Sequence, residues 1–192
     1  MGIFDKLFGR PSPRAETRKV TLKDPLILRS PKIGFLNLIG AAARPLIEEY
    51  RAALVGLFSG EVNSERDPPL CDVLFVYANV LRNGVIEGSF GSFREITDRT
   101  NASIVVFASE NDPKGYIAGG SPSGSRRVNL VMTLERKGRN FGDFFAKLFR
   151  AMKSGTTMPM AWVQLAPQIP GKSHEDCPST IFSAEISHIL FQ

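Results

Sequence analysis

Two short runs constrain the fold of this chain more than any other feature. Residues 73–78 (Val-Leu-Phe-Val-Tyr-Ala) and 104–108 (Ile-Val-Val-Phe-Ala) are apolar on both faces. A strand of this kind belongs inside a sheet that is covered on both sides. A third strand is expected at 128–134. Helices alternate with these strands. In 43–58, Leu46, Tyr50, Ala53, Leu54 and Leu57 form one stripe, widened by Ile47 and Phe58, with Pro45 in the first turn. In 140–152, Phe141, Phe144, Phe145, Leu148, Phe149 and Met152 share a face behind the N-cap residue Asn140, and Gly155 ends the run. A shorter, weakly patterned helix is expected at 90–99.

The remaining segments read less sharply. Residues 19–22 and 26–28 suit short edge strands, 33–39 is ambiguous, and 85–86 adds a small strand after the Asn83-Gly84 turn. Residues 111–127 read as loop because Gly and Pro punctuate them. A fourth strand is expected at 160–165, around Trp162, and a final one at 181–191. Strands alternating with helices predict an α/β fold. Its sheet is mostly parallel with helices on both faces, in three layers, with an antiparallel edge strand near the C-terminus. Residues 33–192 form one such domain, and 1–32 form a basic arm and linker.

Charge is segregated. The first 32 residues hold eight Lys/Arg against three Asp/Glu, and the rest of the chain is balanced, so the arm carries the whole net charge of +5. A nucleic-acid-binding body would carry its own basic face, so the pattern argues against nucleic acid. Within the arm, Ile3, Phe4, Leu7 and Phe8 fall on one helical face. That face suits docking to a membrane surface or a protein partner. No apolar run approaches the roughly 18 residues that span a bilayer, and the first residues lack a secretory h-region. A cytoplasmic setting follows, with peripheral membrane attachment through the arm as an option. The Phe-rich face of 140–152 fits either the interior or a homo-oligomer interface.

Catalytic motifs are weak. His174, Glu175, Asp176 and Cys177 are adjacent, and adjacent residues do not converge on one ion, so no metal site is assigned. Gly88-Ser89-Phe90-Gly91-Ser92 departs from the serine-hydrolase elbow G-x-S-x-G. The Gly119–Arg127 stretch, with Arg126 and Arg127, offers amides, hydroxyls and cations to a phosphate. It matches neither Walker A nor the dinucleotide fingerprint, and no cofactor is assigned. Ligands in open α/β sheets sit beyond the carboxyl ends of strands. Those ends hold Asn79, then Ser109, Glu110 and Asn111, then Arg136. These residues with Arg126 and Arg127 form the candidate ligand-binding set, and no residue is given a catalytic role.

The order of elements over about 70–165 resembles the caspase-like fold, in particular its CHAT branch. The resemblance rests on strand 73–78, a helix, strand 104–108, then another strand and a helix ending in Lys153-Ser154-Gly155 before Pro159-Met160-Ala161. In that family a His follows the first of these strands and a Cys follows the second. Here those positions hold Asn79 and Ser109 or Glu110, so the resemblance implies a pseudo-enzyme or a different chemistry. The expected function is a non-catalytic interaction module with a basic amphipathic arm. The alternative is an enzyme or sensor that binds a nucleotide or phosphometabolite at the strand ends.

Overall fold

The computed structural model describes residues 25–87, 91–109, 111–119, 127–135, 141–166 and 179–192. The strands are β1 (Leu26–Leu28), β2 (Lys32–Asn37), β3 (Gly60–Ser64), β4 (Val73–Tyr77), β5 (Ile104–Phe107), β6 (Asn129–Glu135), β7 (Ser179–Ala184) and β8 (Ile189–Phe191). The helices are α1 (Arg44–Leu54), α2 (Phe93–Arg99), α3 (Pro113–Gly119), α4 (Phe141–Lys153) and α5 (Met158–Leu165). Six strands form one sheet in the order β3-β2-β4-β5-β6-β7, and β1 pairs with β8 in a second, small sheet. All neighbours in the large sheet are parallel except β6 and β7, which are antiparallel. The chain is therefore an α/β protein with a mostly parallel sheet and an antiparallel C-terminal edge.

Strand order explains the layers. The path leaves β2 toward β3, then returns past β2 to β4 and runs the other way to β5. Crossovers of one hand in opposite directions put their helices on opposite faces. Tyr50 and Leu54 of α1 accordingly share a core with Ile33, Phe35, Val73 and Phe75, together with the α4 residues Phe145 and Phe149. Phe93 and Ile96 of α2 share the other core with Leu36, Leu74 and Val76. Every β4 residue is fully buried, as its two-sided apolar sequence requires.

Several expectations need correction. Residues 160–165 lie in α5, not in a strand. Met158, Ala161, Trp162 and Leu165 recur at helical spacing and face inward, and Pro159 suits the first turn. Part of the expected 111–127 loop is α3: the Asp112 carboxylate accepts from the Lys114 N–H at 2.8 Å, and Pro113 opens the helix. The expected strand 181–191 is two strands in different sheets. The break is held by Asn129, whose amide exchanges two hydrogen bonds with the Ile186 backbone, at 2.7 and 3.1 Å. Strand β3 was not expected. The ambiguous 33–39 run resolves as β2, and the short strand expected at 26–28 forms as β1, pairing with β8. The amphipathic face at Ile3–Phe8 and the run 19–22 lie outside the described residues.

Gly34 of β2 is a packing requirement. A Cβ built there would sit 2.5 Å from Cys71 Sγ and 3.0 Å from Pro69 Cγ. Gly34→Ala should lower the free energy of urea unfolding by about 1–3 kcal/mol through overpacking. Adding Cys71→Ala should recover part of that loss. An equal loss in both backgrounds would contradict this packing.

Candidate functional site

The carboxyl ends of β4 and β5 carry Asn79, Ser109 and Asn111 of the expected set. Ser109 and Asn111 are both buried at 6% exposure. Ser109 Oγ accepts from the Ala78 N–H at 3.1 Å. Asn111 Oδ1 accepts from the Val80 N–H at 3.0 Å, while Nδ2 donates to the carbonyls of Ser109 and Thr133 at 2.7 and 2.9 Å. These side chains wire the ends of β4, β5 and β6 together. Asn79 is exposed and donates to Glu87 Oε2 at 2.9 Å. Arg127 is exposed just before β6. Ser109 and Asn111 thus meet, and no described contact joins them to Asn79 or Arg127. Glu110, Arg126 and Arg136 lie outside the described residues, as do Gly88, Ser89, Phe90, His174 and Cys177.

At the point where the strand order reverses, between β2 and β4, the Leu38 N–H donates to the Tyr77 carbonyl at 2.9 Å, and Tyr77 and Ala78 are fully buried. The cleft opens one strand away, at the carboxyl ends of β2 and β3 beside α1, with a volume of about 290 Å³. Phe35 and Ile47 give it an apolar floor, and Asn37, Asn63 and Ser64 contribute polar atoms. Arg44, Glu48, Arg51 and Glu65 bring charge. Arg44, Ile47, Glu48 and Arg51 share one side of α1 because they recur three, four and seven residues apart.

Two local devices shape this cleft. At the end of β2, Asn37 turns the chain into the helix. Its Oδ1 accepts from the N–H groups of Ile39 and Gly40, at 3.2 and 3.0 Å, and its Nδ2 donates to the Gly40 carbonyl at 2.9 Å. Gly40 takes φ +77°, a left-handed conformation open to glycine. Arg51 then ties α1 to β3. Its Nε lies 2.6 Å from Glu61 Oε1, close enough for an ion pair but poorly angled for a hydrogen bond, and its Nη1 donates to Glu48 at 3.0 Å. Glu61, and then Glu48, raise the Arg51 pKa above the ordinary arginine value.

The remaining charges stand differently. Among the described residues, the side chains of Arg44 and Glu65 make no hydrogen bond or ion pair. Arg44 is the first residue of α1, and the 3-10 turn Gly40–Ala43 runs directly into it, with the Arg44 N–H donating to the Ala41 carbonyl. The positive charge at this end of the cleft is therefore that of the Arg44 guanidinium. Ser64 Oγ accepts from the N–H groups of Arg66 and Asp67, both at 3.3 Å, and keeps its own O–H to donate.

Thiol chemistry is not offered by Cys71. It is 2% exposed, and its N–H donates to Asn101 Oδ1. Burial first, then the Asp72 charge, push its pKa up to about 12. Among the described residues no group of three or more His, Cys, Asp or Glu could hold a metal ion, and no helix is long and apolar enough to cross a membrane. Comparison with protein-family models, with curated proteins and with solved structures finds no match.

The raised Cys71 pKa sets a pH dependence. The folded state favours the neutral thiol, so this contribution is complete below the unfolded thiol pKa, near 9.0, and is lost as pH rises toward about 12. In a Cys177→Ser background, urea-unfolding stability should fall more steeply between those values than in the same background carrying Cys71→Ala. Equal slopes would contradict the buried-thiol assignment.

Proposed function

We propose that this chain is a non-catalytic α/β binding module that holds a small charged solute in the cleft beside α1. The observation that carries this reading is the Arg44 guanidinium, which lines the cleft and makes no hydrogen bond or ion pair among the described residues. The position at strand carboxyl ends is where parallel sheets bind ligands. At about 290 Å³ the cleft is at the small end of ligand sites, which run from about 300 to 1,000 Å³. Ser109 fits a non-catalytic reading, since its hydroxyl accepts a backbone bond where the caspase-like resemblance expects a nucleophile nearby.

A second reading, docking of a protein partner, is favoured by α5. This helix leaves Met160 and Val163, three residues apart, exposed at 56% and 60%. The basic arm at 1–32, docking to a partner or a membrane surface, belongs to that reading.

The test is a thermal-shift panel of carboxylates, phosphate esters, amines and amino acids. At least one solute should raise Tm in a concentration-dependent way, by linkage to the folded state. Ile47→Trp, which fills the cleft, should abolish that shift while the variant still melts cooperatively. No shift with any solute, or a shift that survives Ile47→Trp, would contradict the reading.

A further inference from the structure

We infer that the solute is a zwitterion, with a primary ammonium and a carboxylate a few atoms apart as in a free α-amino acid. This rests on the cleft being a ligand site and goes on to name the class. Of the four charged side chains lining the cleft, Arg51 and Glu48 are paired with each other, and Arg51 is paired again with Glu61. Arg44 and Glu65 are left, one of each sign. A simple anion bound to Arg44 would share the cleft with the Glu65 and Glu48 carboxylates. A simple cation would share it with the Arg44 guanidinium. A dipolar solute meets both signs, and charge complementarity of this kind sets specificity.

The polar atoms agree with that orientation. The carboxylate belongs at the Arg44 guanidinium, which can meet it with two parallel N–H donors. The ammonium belongs at Glu65, with the Asn63 amide beside it. Asn63 gives its Nδ2 hydrogen to Glu61 at 2.7 Å and keeps Oδ1 as an acceptor. Phe35 and Ile47 leave an apolar floor for a short aliphatic side chain.

Isothermal titration of the full chain tests this with four probes: leucine, N-acetyl-leucine, leucinamide and inorganic phosphate. Leucine should bind, and the N-acetyl and amide forms, each lacking one charge, should bind at least about tenfold more weakly. Arg44→Ala should weaken leucine by at least about tenfold and bind leucinamide no more weakly than the parent does. Glu65→Gln should weaken leucine to a similar degree and bind N-acetyl-leucine no more weakly than the parent does. Both positions are exposed, and circular-dichroism melts verify folding. N-acetyl-leucine, leucinamide or phosphate binding as tightly as leucine would overturn the zwitterion. The cleft would still stand as a ligand site if Ile47→Trp removed that binding. Failure of all four probes overturns the zwitterion, and the cleft reading falls with it if the wider panel is also silent.

Discussion

Phe75 sits at the middle of β4, between β2 and β5, and its ring meets four others on one face of the sheet. The ring centroids lie 5.9 Å from Phe35, 5.7 Å from Tyr50, 5.3 Å from Phe145 and 6.4 Å from Phe149. Three of these contacts are edge-to-face, each contributing about 0.5–1.5 kcal/mol beyond its buried area. This cluster joins α1 and α4 to the sheet through one residue. Tyr50 is the contact from α1, so the inward side of that helix is fixed by aromatic packing. The side carrying Arg44, Glu48 and Arg51 is then turned toward β3 and solvent, where its charges need not be buried.

The cleft follows from that anchoring together with two polar restraints. Asn37 ends β2 and starts the helical segment by satisfying backbone donors that would otherwise be unpaired. Arg51 joins the helix to the edge strand β3 through Glu61. Neither restraint uses Arg44 or Glu65. The groups that would meet a ligand are thus separate from the groups that hold the walls, an arrangement that allows recognition without loss of structure when the cleft is empty.

What could be read from the residues depended on how local each signal was. β4 and β5 were legible because burial on both faces demands apolar side chains at every position. α1 and α4 were legible because each buries a continuous stripe. β3 was not, because Gly-Glu-Val-Asn-Ser carries one apolar residue and is held by pairing with β2. α5 was misread because a short apolar run fits strand and helix alike; Trp162 stacking on Phe182, at 4.6 Å, is a tertiary fact. Ser109 and Asn111 looked like ligand positions because polar residues follow an apolar run abruptly. Their side chains hydrogen-bond backbone groups at the strand ends. Arg44 and Glu65 each look like ordinary surface residues along the chain, and only the β2-α1-β3 crossover places them around one cleft.

We place recognition beside α1 rather than at the ends of β4 and β5. Amide chemical-shift mapping of the isotope-labelled full chain during titration with leucine tests it most directly. Binding beside α1 gives saturable shifts confined to residues 37–51 and 63–66, with Ser109 and Asn111 unmoved. Shifts centred on 109–111, or shifts that grow linearly without saturating, would contradict it.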